Sequence, residues 1–315
     1  MRRLHPLFVP AVVVTLAIEV LIASTARSAE PESGHSSAPG AATVAERAPA
    51  STPIRVATLL PWAGDAVGLA GESAVLVAGV RRSLHAPLPD GLIDLGNPHA
   101  PSLERLAEAR PDLVVADAAI HARLAAPIGK LGPRVLLLET ATVEQTLDAL
   151  AQLSQALGGA PALDARIAAT RSRITALSGR TRASLVALFG APGTFYVMTE
   201  RAWLGDLAKT LGFELAIAGG GDERFPGLVA VSDEVMATAR PDLVLLVAHG
   251  DPRKIRADLE RRTAGGGAWA GLSKARLGIH VLDPDLFSAN PGLGIVEAAE
   301  TLVELSSGTT TGRNR

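Results

Sequence analysis

From residue 54 to residue 305, short apolar runs alternate with longer segments of helical period. Runs of four to seven apolar residues are typical of buried parallel strands, and the segments between them have the spacing of helices that cover a sheet. This order predicts an α/β chain with two similar lobes and mainly parallel sheets. One long bridging helix is predicted over residues 143–177, broken only around Gly158 and Gly159. Strands are predicted at residues 54–60, 74–79, 113–116, 134–138, 184–189, 194–198, 243–248 and 279–282.

A fifteen-residue pattern occurs twice in the chain, 130 residues apart. SLERLAEARPDLVVA begins at Ser102 and SDEVMATARPDLVLL begins at Ser232, with nine identical positions and no gap. In each copy a proline ends a helix, and the apolar run after Asp-Leu is typical of a buried strand. The repeat therefore predicts two equivalent lobes, with Glu104 and Glu234 at the same place near the start of equivalent helices.

The N-terminal residues have the pattern of an export signal followed by a tether. Two arginines precede a mostly apolar run over residues 7–23, and small residues then allow cleavage after Ala26 or Ser28. A retained membrane anchor is the alternative, which Glu19 inside the apolar run disfavours. We expect a cleaved signal and a periplasmic protein. The predicted boundaries are 1–28 for the signal, 29–53 for a flexible tether, 54–142 for the N-terminal lobe, 143–180 for the bridging helix, 181–308 for the C-terminal lobe and 309–315 for a disordered tail.

Composition narrows the classes of function. The 30 basic and 32 acidic residues give a formal net charge of −2, which does not indicate a basic face for nucleic acid. The absence of cysteine excludes disulfides, thiolate metal sites and a lipid attached to an N-terminal cysteine. The chain carries no Gly-x-Ser-x-Gly, no His-Glu-x-x-His and no phosphate-binding loop, so we expect a binding protein and not an enzyme.

Several motifs occur in the order found in one known family. Residues 96–104 read GNPHAPSLE and are followed by RPDLV, residues 211–214 read LGFE, residues 231–234 read VSDE, and Trp269 begins WAGL. Over about residues 55–307 the chain resembles the substrate-binding proteins of ABC importers for iron–siderophores, haem and cobalamin, in which one rigid helix bridges two lobes. The resemblance implies a monomer without a cofactor of its own, which binds a metal chelate and delivers it to a permease dimer. A ferric siderophore is the favoured ligand, and haem and cobalamin are the alternatives.

The resemblance also implies that one exposed acid on each lobe docks onto arginines of the permease. The matching positions are Glu104 and Glu234, which the repeat singles out independently. A carboxylate in the first turn of a helix lies near the positive end of the helix dipole and offers a guanidinium group a bidentate acceptor. The alternative is that both residues close capping boxes at their own helix N-termini.

We expect the ligand to lie in a cleft lined by loops at the carboxyl ends of the strands. Trp62 and Phe287 are the favoured contacts, on opposite lobes, because large aromatic rings give planar contact to a macrocycle or a catecholate. Arg201 or Arg224 would then neutralise an anionic chelate. The candidate ligand-binding residues are Trp62, Asp117, His121, Arg201, Arg224, Phe225, His249 and Phe287.

A rival hypothesis is a binding protein for zinc or manganese. Single histidines in loops are more often ordinary loop residues than metal ligands, and this holds for His121 and His249. Four residues are nevertheless candidates for such a site: His99, His121, His249 and Asp285.

Overall fold

The computed structural model describes residues 52–82, 87–217, 227–230 and 232–308. These residues belong to one compact unit, Ala50–Arg315. The predicted signal, almost all of the tether and the C-terminal tail lie outside the described residues, as do Arg224 and Phe225. Within the described ranges no helix is long and apolar enough to cross a membrane.

Five strands and three helices form the N-terminal lobe in the described part of the chain. The strands are β1 (Ile54–Thr58), β2 (Ala74–Gly79), β3 (Ile93–Asp94), β4 (Leu113–Asp117) and β5 (Arg134–Leu138). The helices are α1 (Ala63–Gly68), α2 (Leu103–Ala109) and α3 (Ala118–Gly129). All strand pairs are parallel, in the order β3-β2-β1-β4-β5, so the carboxyl ends of the strands share one edge of the sheet.

The lobes are linked by a helical hairpin made of α4 (Val143–Ala156) and α5 (Pro161–Leu177). Between these helices Gly158 and Gly159 have φ values of 84° and 91°, a backbone conformation that favours glycine. Arg171 of α5 forms ion pairs with Glu144 and Asp148 in the first half of α4, so the two helices lie antiparallel. The break at the glycines therefore reverses the chain, and only α5 continues into the second lobe.

The C-terminal lobe carries a mixed sheet. Its strands are β6 (Ser184–Ala191), β7 (Thr194–Met198), β8 (Glu214–Leu215), β9 (Leu228–Ala230), β10 (Leu243–Ala248) and β11 (Ile279–Val281). Its helices are α6 (Trp203–Leu211), α7 (Asp233–Thr238), α8 (Pro252–Ala264), α9 (Pro284–Phe287) and α10 (Ile295–Ser306). The strand order is β11-β10-β6-β7-β9, with β8 also beside β6. Strand β7 is antiparallel to both neighbours. Its pairing with β6 follows from the connection of two residues, which can join only antiparallel strands.

The repeat gives both lobes the same hydrogen bonds at the start of their central strands. The carboxylate of Asp112 accepts the backbone N–H of Arg55 at the start of β1 at 2.8 Å, and that of Asp242 accepts the N–H of Ser184 at the start of β6 at 2.9 Å. The N–H of each aspartate donates to the carbonyl of the same partner, at 2.8 and 2.9 Å. The Ser184 N–H is also the main reason why the pKa of Asp242 is lowered. The two lobes are therefore equivalent at these bonds, as the repeat predicts.

One continuous hydrophobic core joins the two sheets. The inner face of each sheet packs on the same group of helices, which includes α4, α5, α6 and α10, while α2 and α3 cover the outer face of the first sheet and α7 and α8 that of the second. Since the lobes share their inner core, a large rotation of one against the other would expose apolar surface. Members of the shared core are Val56, Leu113, Leu150, Leu163, Leu185, Leu243 and Leu302.

Candidate functional site

A small pocket lies between the lobes. The N-terminal lobe contributes Pro61 and Trp62 after β1 and Arg82 after β2, and the C-terminal lobe contributes the loop that follows β11. The pocket is narrow, since a water-sized sphere can occupy only about 10 Å³ of it, and it is partly open to solvent. All three loops follow the carboxyl ends of parallel strands, which is where a cleft is predicted. The residues of the C-terminal side are Asp285, Leu286, Ala289, Asn290 and Pro291.

Trp62 is wedged between the two lobes. Its side chain is 2% exposed, and the backbone of Gly292 lies so close that a Cβ atom there would be 2.8 Å from the indole ring. The indole Nε1 is buried and has no hydrogen-bond partner among the described residues. A buried donor without a partner is costly, and in a pocket it is suited to a ligand oxygen. The structure therefore brings Trp62 to the predicted cleft, with a buried indole N–H that has no partner among the described residues.

Phe287 does not line this pocket. The ring is 1% exposed and stacks on Trp203 of α6, with 6.0 Å between ring centroids and 25° between the planes. Helix α9 turns this side chain into the shared core, beneath the loop that borders the pocket. The predicted pairing of Trp62 and Phe287 across a ligand is therefore not present in this arrangement, because Phe287 has no surface to offer.

His121 is a structural residue in this arrangement. The ring is 2% exposed, its Nδ1 accepts the backbone N–H of Asp117 at 3.0 Å, and its Nε2 lies 2.7 Å from the carbonyl oxygen of Pro98. The Asp117 bond assigns the proton to Nε2, which then donates to Pro98. Burial is the main reason why the pKa of His121 is lowered. Since both nitrogens are engaged, neither is free to ligate a metal.

The carboxylate of Asp117 is also used within the protein. One oxygen accepts the N–H groups of Ala119 and Ile120 at 2.8 and 3.0 Å and so caps α3. The other oxygen accepts the hydroxyl of Thr140 at 2.7 Å. Asp117 therefore holds the end of β4, the start of α3 and the end of β5 together, and it is 6% exposed.

Asn290 connects the C-terminal lobe to the N-terminal lobe, a role that the sequence did not reveal. Its Nδ2 donates to the carbonyl of Thr140 at 2.8 Å and to the hydroxyl of Thr146 at 2.7 Å, and its Oδ1 accepts the N–H of Gly292 at 2.9 Å. Thr140 also bonds Asp117, so polar bonds run from the loop after β11 to the end of β4. We name Asn290 and its two threonine partners the inter-lobe latch.

Arg82 is a second residue that sequence reasoning missed. It borders the pocket, forms an ion pair with Asp65 of α1, and accepts the hydroxyl of Ser288 at its carbonyl oxygen at 3.2 Å. A usable signal was present in the sequence, because two arginines, Arg81 and Arg82, come one residue after the strand predicted at residues 74–79. Arg82 is the guanidinium group that the structure places at the pocket.

Arg201 and His249 are both exposed. His249 follows β10 and stacks on Phe189 of β6, with 5.5 Å between ring centroids. Among the described residues no contact joins either side chain to the other candidate ligand contacts. The described ranges also contain no group of three or more histidine, aspartate or glutamate side chains that could hold a metal ion, so the rival zinc or manganese site is not assembled there.

The serine before each repeat helix caps that helix. The Ser102 hydroxyl accepts the N–H of Arg105 at 3.2 Å, and the Ser232 hydroxyl accepts that of Val235 at 3.4 Å. A capping box requires an acid at this third helical position, where the chain has arginine in one lobe and valine in the other. The register therefore excludes the capping-box alternative for the two glutamates.

Glu104 and Glu234 occupy the second position of their helices instead. Both side chains are exposed and have no hydrogen bond or ion pair with another described residue. Their helices lie on the outer faces of the two sheets, where Leu106 and Met236 anchor them in separate outer cores. Each lobe thus presents one free carboxylate at an equivalent place.

Comparison with known families agrees with this architecture. Residues 60–264, which are 205 of the chain's 315 residues, match the periplasmic binding protein family. The chain therefore belongs to the periplasmic binding protein family, and the resemblance based on its motifs is confirmed.

Individual relatives are distant. The chain is 26% identical over 207 residues to the Fe(3+)-citrate-binding protein YfmC of Bacillus subtilis, covering 63% of this chain and 64% of that protein. It is 21% identical over 195 residues to the high-affinity heme uptake system protein IsdE of Staphylococcus aureus, covering 60% and 65%. The chain spans less than two thirds of the length of the curated relatives it matches. These relatives are named as binding or uptake proteins and not as enzymes.

Solved structures share the fold along most of the chain. An ABC transporter substrate-binding protein from Listeria monocytogenes EGD-e has a TM-score of 0.69 at 20% identity, covering 81% of this chain and 98% of that one. S. aureus IsdE complexed with heme has a TM-score of 0.68 at 16% identity, covering 80% and 98%. This similarity establishes the two-lobed α/β fold.

Proposed function

We propose that this chain binds a ferric chelate between its lobes and delivers it to the permease of an ABC importer. The observation that carries the proposal is the pocket between the lobes, which Trp62 lines and where the buried indole N–H of that residue has no partner among the described residues. Family membership supports the binding role, and relatives named for iron(III) citrate and heme support the class of ligand.

A chelate with oxygen donors, such as a siderophore or citrate, suits the pocket better than haem does. Such a chelate already fills the coordination sphere of its iron, so the protein needs only hydrogen-bond donors and positive charge. Trp62 and Arg82 both line the pocket, and a chelate would compete with Asp65 for the guanidinium group of Arg82. Haem iron would take an axial ligand from the protein, and the buried histidine of this region, His121, has both nitrogens engaged.

Ligand entry requires the facing loops to move apart. Pockets for drug-sized molecules have volumes of roughly 300–1,000 Å³, whereas the space between the loops that a water-sized sphere can occupy is about 10 Å³. Movement of the segment after β11 has to break the bonds of Asn290 and Ser288 and to loosen the packing of Phe287, which lies in the shared core. The rest of the shared core, which packs α4, α5 and α10 between the sheets, can stay in place during such a movement.

Delivery would use Glu104 and Glu234 as contacts for arginines of the permease, one carboxylate on each lobe. Both are exposed and free of partners among the described residues, as a docking group must be. The protein would act in the periplasm after cleavage near Ala26 or Ser28. In cells, Glu104→Ala and Glu234→Ala should each lower chelate uptake by roughly tenfold or more while the Kd for the chelate stays unchanged.

Titration of the purified protein tests the binding step. Ferric citrate, a ferric hydroxamate, haem and cobalamin are added in turn while tryptophan fluorescence is recorded. Trp62→Phe keeps a ring but loses the indole N–H, and should raise the Kd for the bound chelate by roughly three- to tenfold. Trp203→Phe is the matched control, because Trp203 does not line the pocket. Tight binding of zinc or manganese with no response to any chelate would overturn the proposal.

A further inference from the structure

The helix that carries Glu234 is held by an indole from a neighbouring segment. Nε1 of Trp269 donates to Oδ1 of Asp233 at 2.9 Å, and Asp233 directly precedes Glu234 at the start of α7. Trp269 belongs to the 3-10 helix Ala268–Lys274, which packs along α7. The bond therefore ties the first turn of α7 to a second element of the lobe.

The donor is itself fixed to the sheet. Trp269 is 5% exposed and belongs to the outer core of the C-terminal lobe. Its ring meets Phe195 of β7 with 5.7 Å between centroids, and the guanidinium of Arg262 lies 5.5 Å from the indole centroid and 5.3 Å from the Phe195 ring. Aromatic and cation–π contacts from two elements thus hold the indole in one orientation.

The same 3-10 helix also meets the other end of α7. Gly271 lies so close to the chain after α7 that a Cβ atom there would be 2.6 Å from the carbonyl oxygen of Ala239. Helix α7 has only six residues, too few to be stable without tertiary contacts. Its orientation therefore depends on contacts at both ends with the segment that contains Trp269.

Among its described residues, the N-terminal lobe has no counterpart of this bond. In the repeat, the position of Asp233 is occupied by Leu103, which cannot accept a hydrogen bond through its side chain. There the first turn of α2 is held by the segment that precedes it. The side chain of Arg105 donates to the carbonyl oxygen of Asp94 at 2.8 Å, and the N–H of Ser102 donates to the carbonyl oxygen of Leu95 at 3.0 Å. The two docking carboxylates are equivalent in position but are supported differently.

We infer that Trp269 is a positioning residue for Glu234 and acts through Asp233 to aim that carboxylate at the permease. This inference rests on the docking role proposed above. It implies that loss of the indole N–H impairs delivery only through Glu234, and that the N-terminal docking site is unaffected. A residue that merely stabilised the lobe would weaken delivery whichever docking carboxylate was altered.

The experiment measures uptake by spheroplasts that lack their own copy of the protein, with purified protein added at increasing concentration. The probe is whichever of ferric citrate, a ferric hydroxamate and haem the wild-type protein delivers. The readout is the protein concentration that gives half-maximal uptake. Trp269→Phe and Asp233→Ala should each raise it by roughly three- to tenfold, with unchanged maximal uptake and unchanged Kd for the chelate. Asp233→Asn keeps the acceptor oxygen and should behave like the wild type.

Double variants separate positioning from a general loss of stability. Trp269→Phe should raise the half-maximal concentration further in a Glu104→Gln background and should have no added effect in a Glu234→Gln background. Equal added effects in both backgrounds would overturn the inference. The inference would also be overturned if Asp233→Asn were impaired as strongly as Asp233→Ala, because the charge of Asp233 would then itself take part in docking. If Glu104→Gln and Glu234→Gln both deliver normally, the proposed docking fails first. Normal delivery by Trp269→Phe alone refutes only the positioning role.

Discussion

Replacing Asn290 by alanine should destabilise the whole folded unit, because this side chain makes three hydrogen bonds at the junction of the lobes. The amide nitrogen reaches Thr140 and Thr146 at 2.8 and 2.7 Å, and the amide oxygen accepts the N–H of Gly292 at 2.9 Å. Thr140 is 8% exposed and Thr146 is fully buried, so water replaces the lost partners poorly. At about 1 kcal/mol for each bond, the free energy of unfolding should fall by about 3 kcal/mol.

Thermal and urea unfolding, followed by circular dichroism, measure this effect. A change of about 3 kcal/mol in a domain of this size corresponds to a decrease of roughly 6–12 °C in Tm. Asn97→Ala is the matched control, because Asn97 is exposed and its side chain accepts a single N–H, from His99 at 2.9 Å. It should lower the free energy of unfolding by about 1 kcal/mol or less.

Cooperativity is the second readout of the Asn290→Ala experiment. Since both sheets pack on one core, the wild type and the variant should each unfold in one transition that shifts as a whole. A variant within about 0.5 kcal/mol of the wild type would refute the role assigned to the latch. Two separate transitions, with only one of them shifted, would refute the shared core.

Three further expectations, two from the fold and one from the N-terminal sequence, can be tested directly. The folded state lowers the pKa of His121, mainly through burial, below its ordinary value of 6.5, so the unfolded state binds the proton first as pH falls. The contribution of His121 to stability should therefore be full above about pH 7 and should fall as pH drops below 6.5 towards the lowered pKa. Urea unfolding between pH 7.5 and 5 measures how the free energy of unfolding changes with pH, and this change should be smaller for His121→Gln than for the wild type. An equal change in both proteins would contradict this role of His121. Small-angle scattering curves with and without the bound chelate should nearly superimpose, because the shared core opposes a large rotation of the lobes, and a clear decrease in the radius of gyration would contradict this. Mass spectrometry of exported protein should find a chain that begins after Ala26 or Ser28, and an intact chain from Met1 would contradict a cleaved signal.

Local pattern was enough to place most of the secondary structure. The bounds predicted for β2, β5, β7 and β10 match the structure. These elements are contiguous apolar or amphipathic segments, so their burial is encoded in the identity of neighbouring residues. Strands β3, β8 and β9 were not predicted, since two or three residues are too few to show a period.

The repeat carried tertiary information that local pattern does not. It placed Glu104 and Glu234 at equivalent positions of the two lobes, and the matching bonds of Asp112 and Asp242 show why the string Arg-Pro-Asp-Leu-Val recurs. An aspartate at this point ties a repeat strand to the central strand beside it. A repeated sequence therefore predicted a repeated architecture because the same bond is needed twice.

Which side chains face the cleft was decided by packing between distant segments. Trp62 and Phe287 both follow strands, yet only Trp62 borders the pocket, because α9 turns Phe287 onto Trp203. The hydrogen-bond partner of His121 Nε2 is the carbonyl oxygen of Pro98, 23 residues away along the chain, and the inter-lobe latch joins Asn290 to Thr140 across 150 residues. The sequence by itself determined the elements, the two lobes and their repeat, since these follow from neighbouring residues and internal similarity. Only the tertiary structure decided which polar groups are already satisfied, because a hydrogen-bond partner is fixed by position in space and not along the chain.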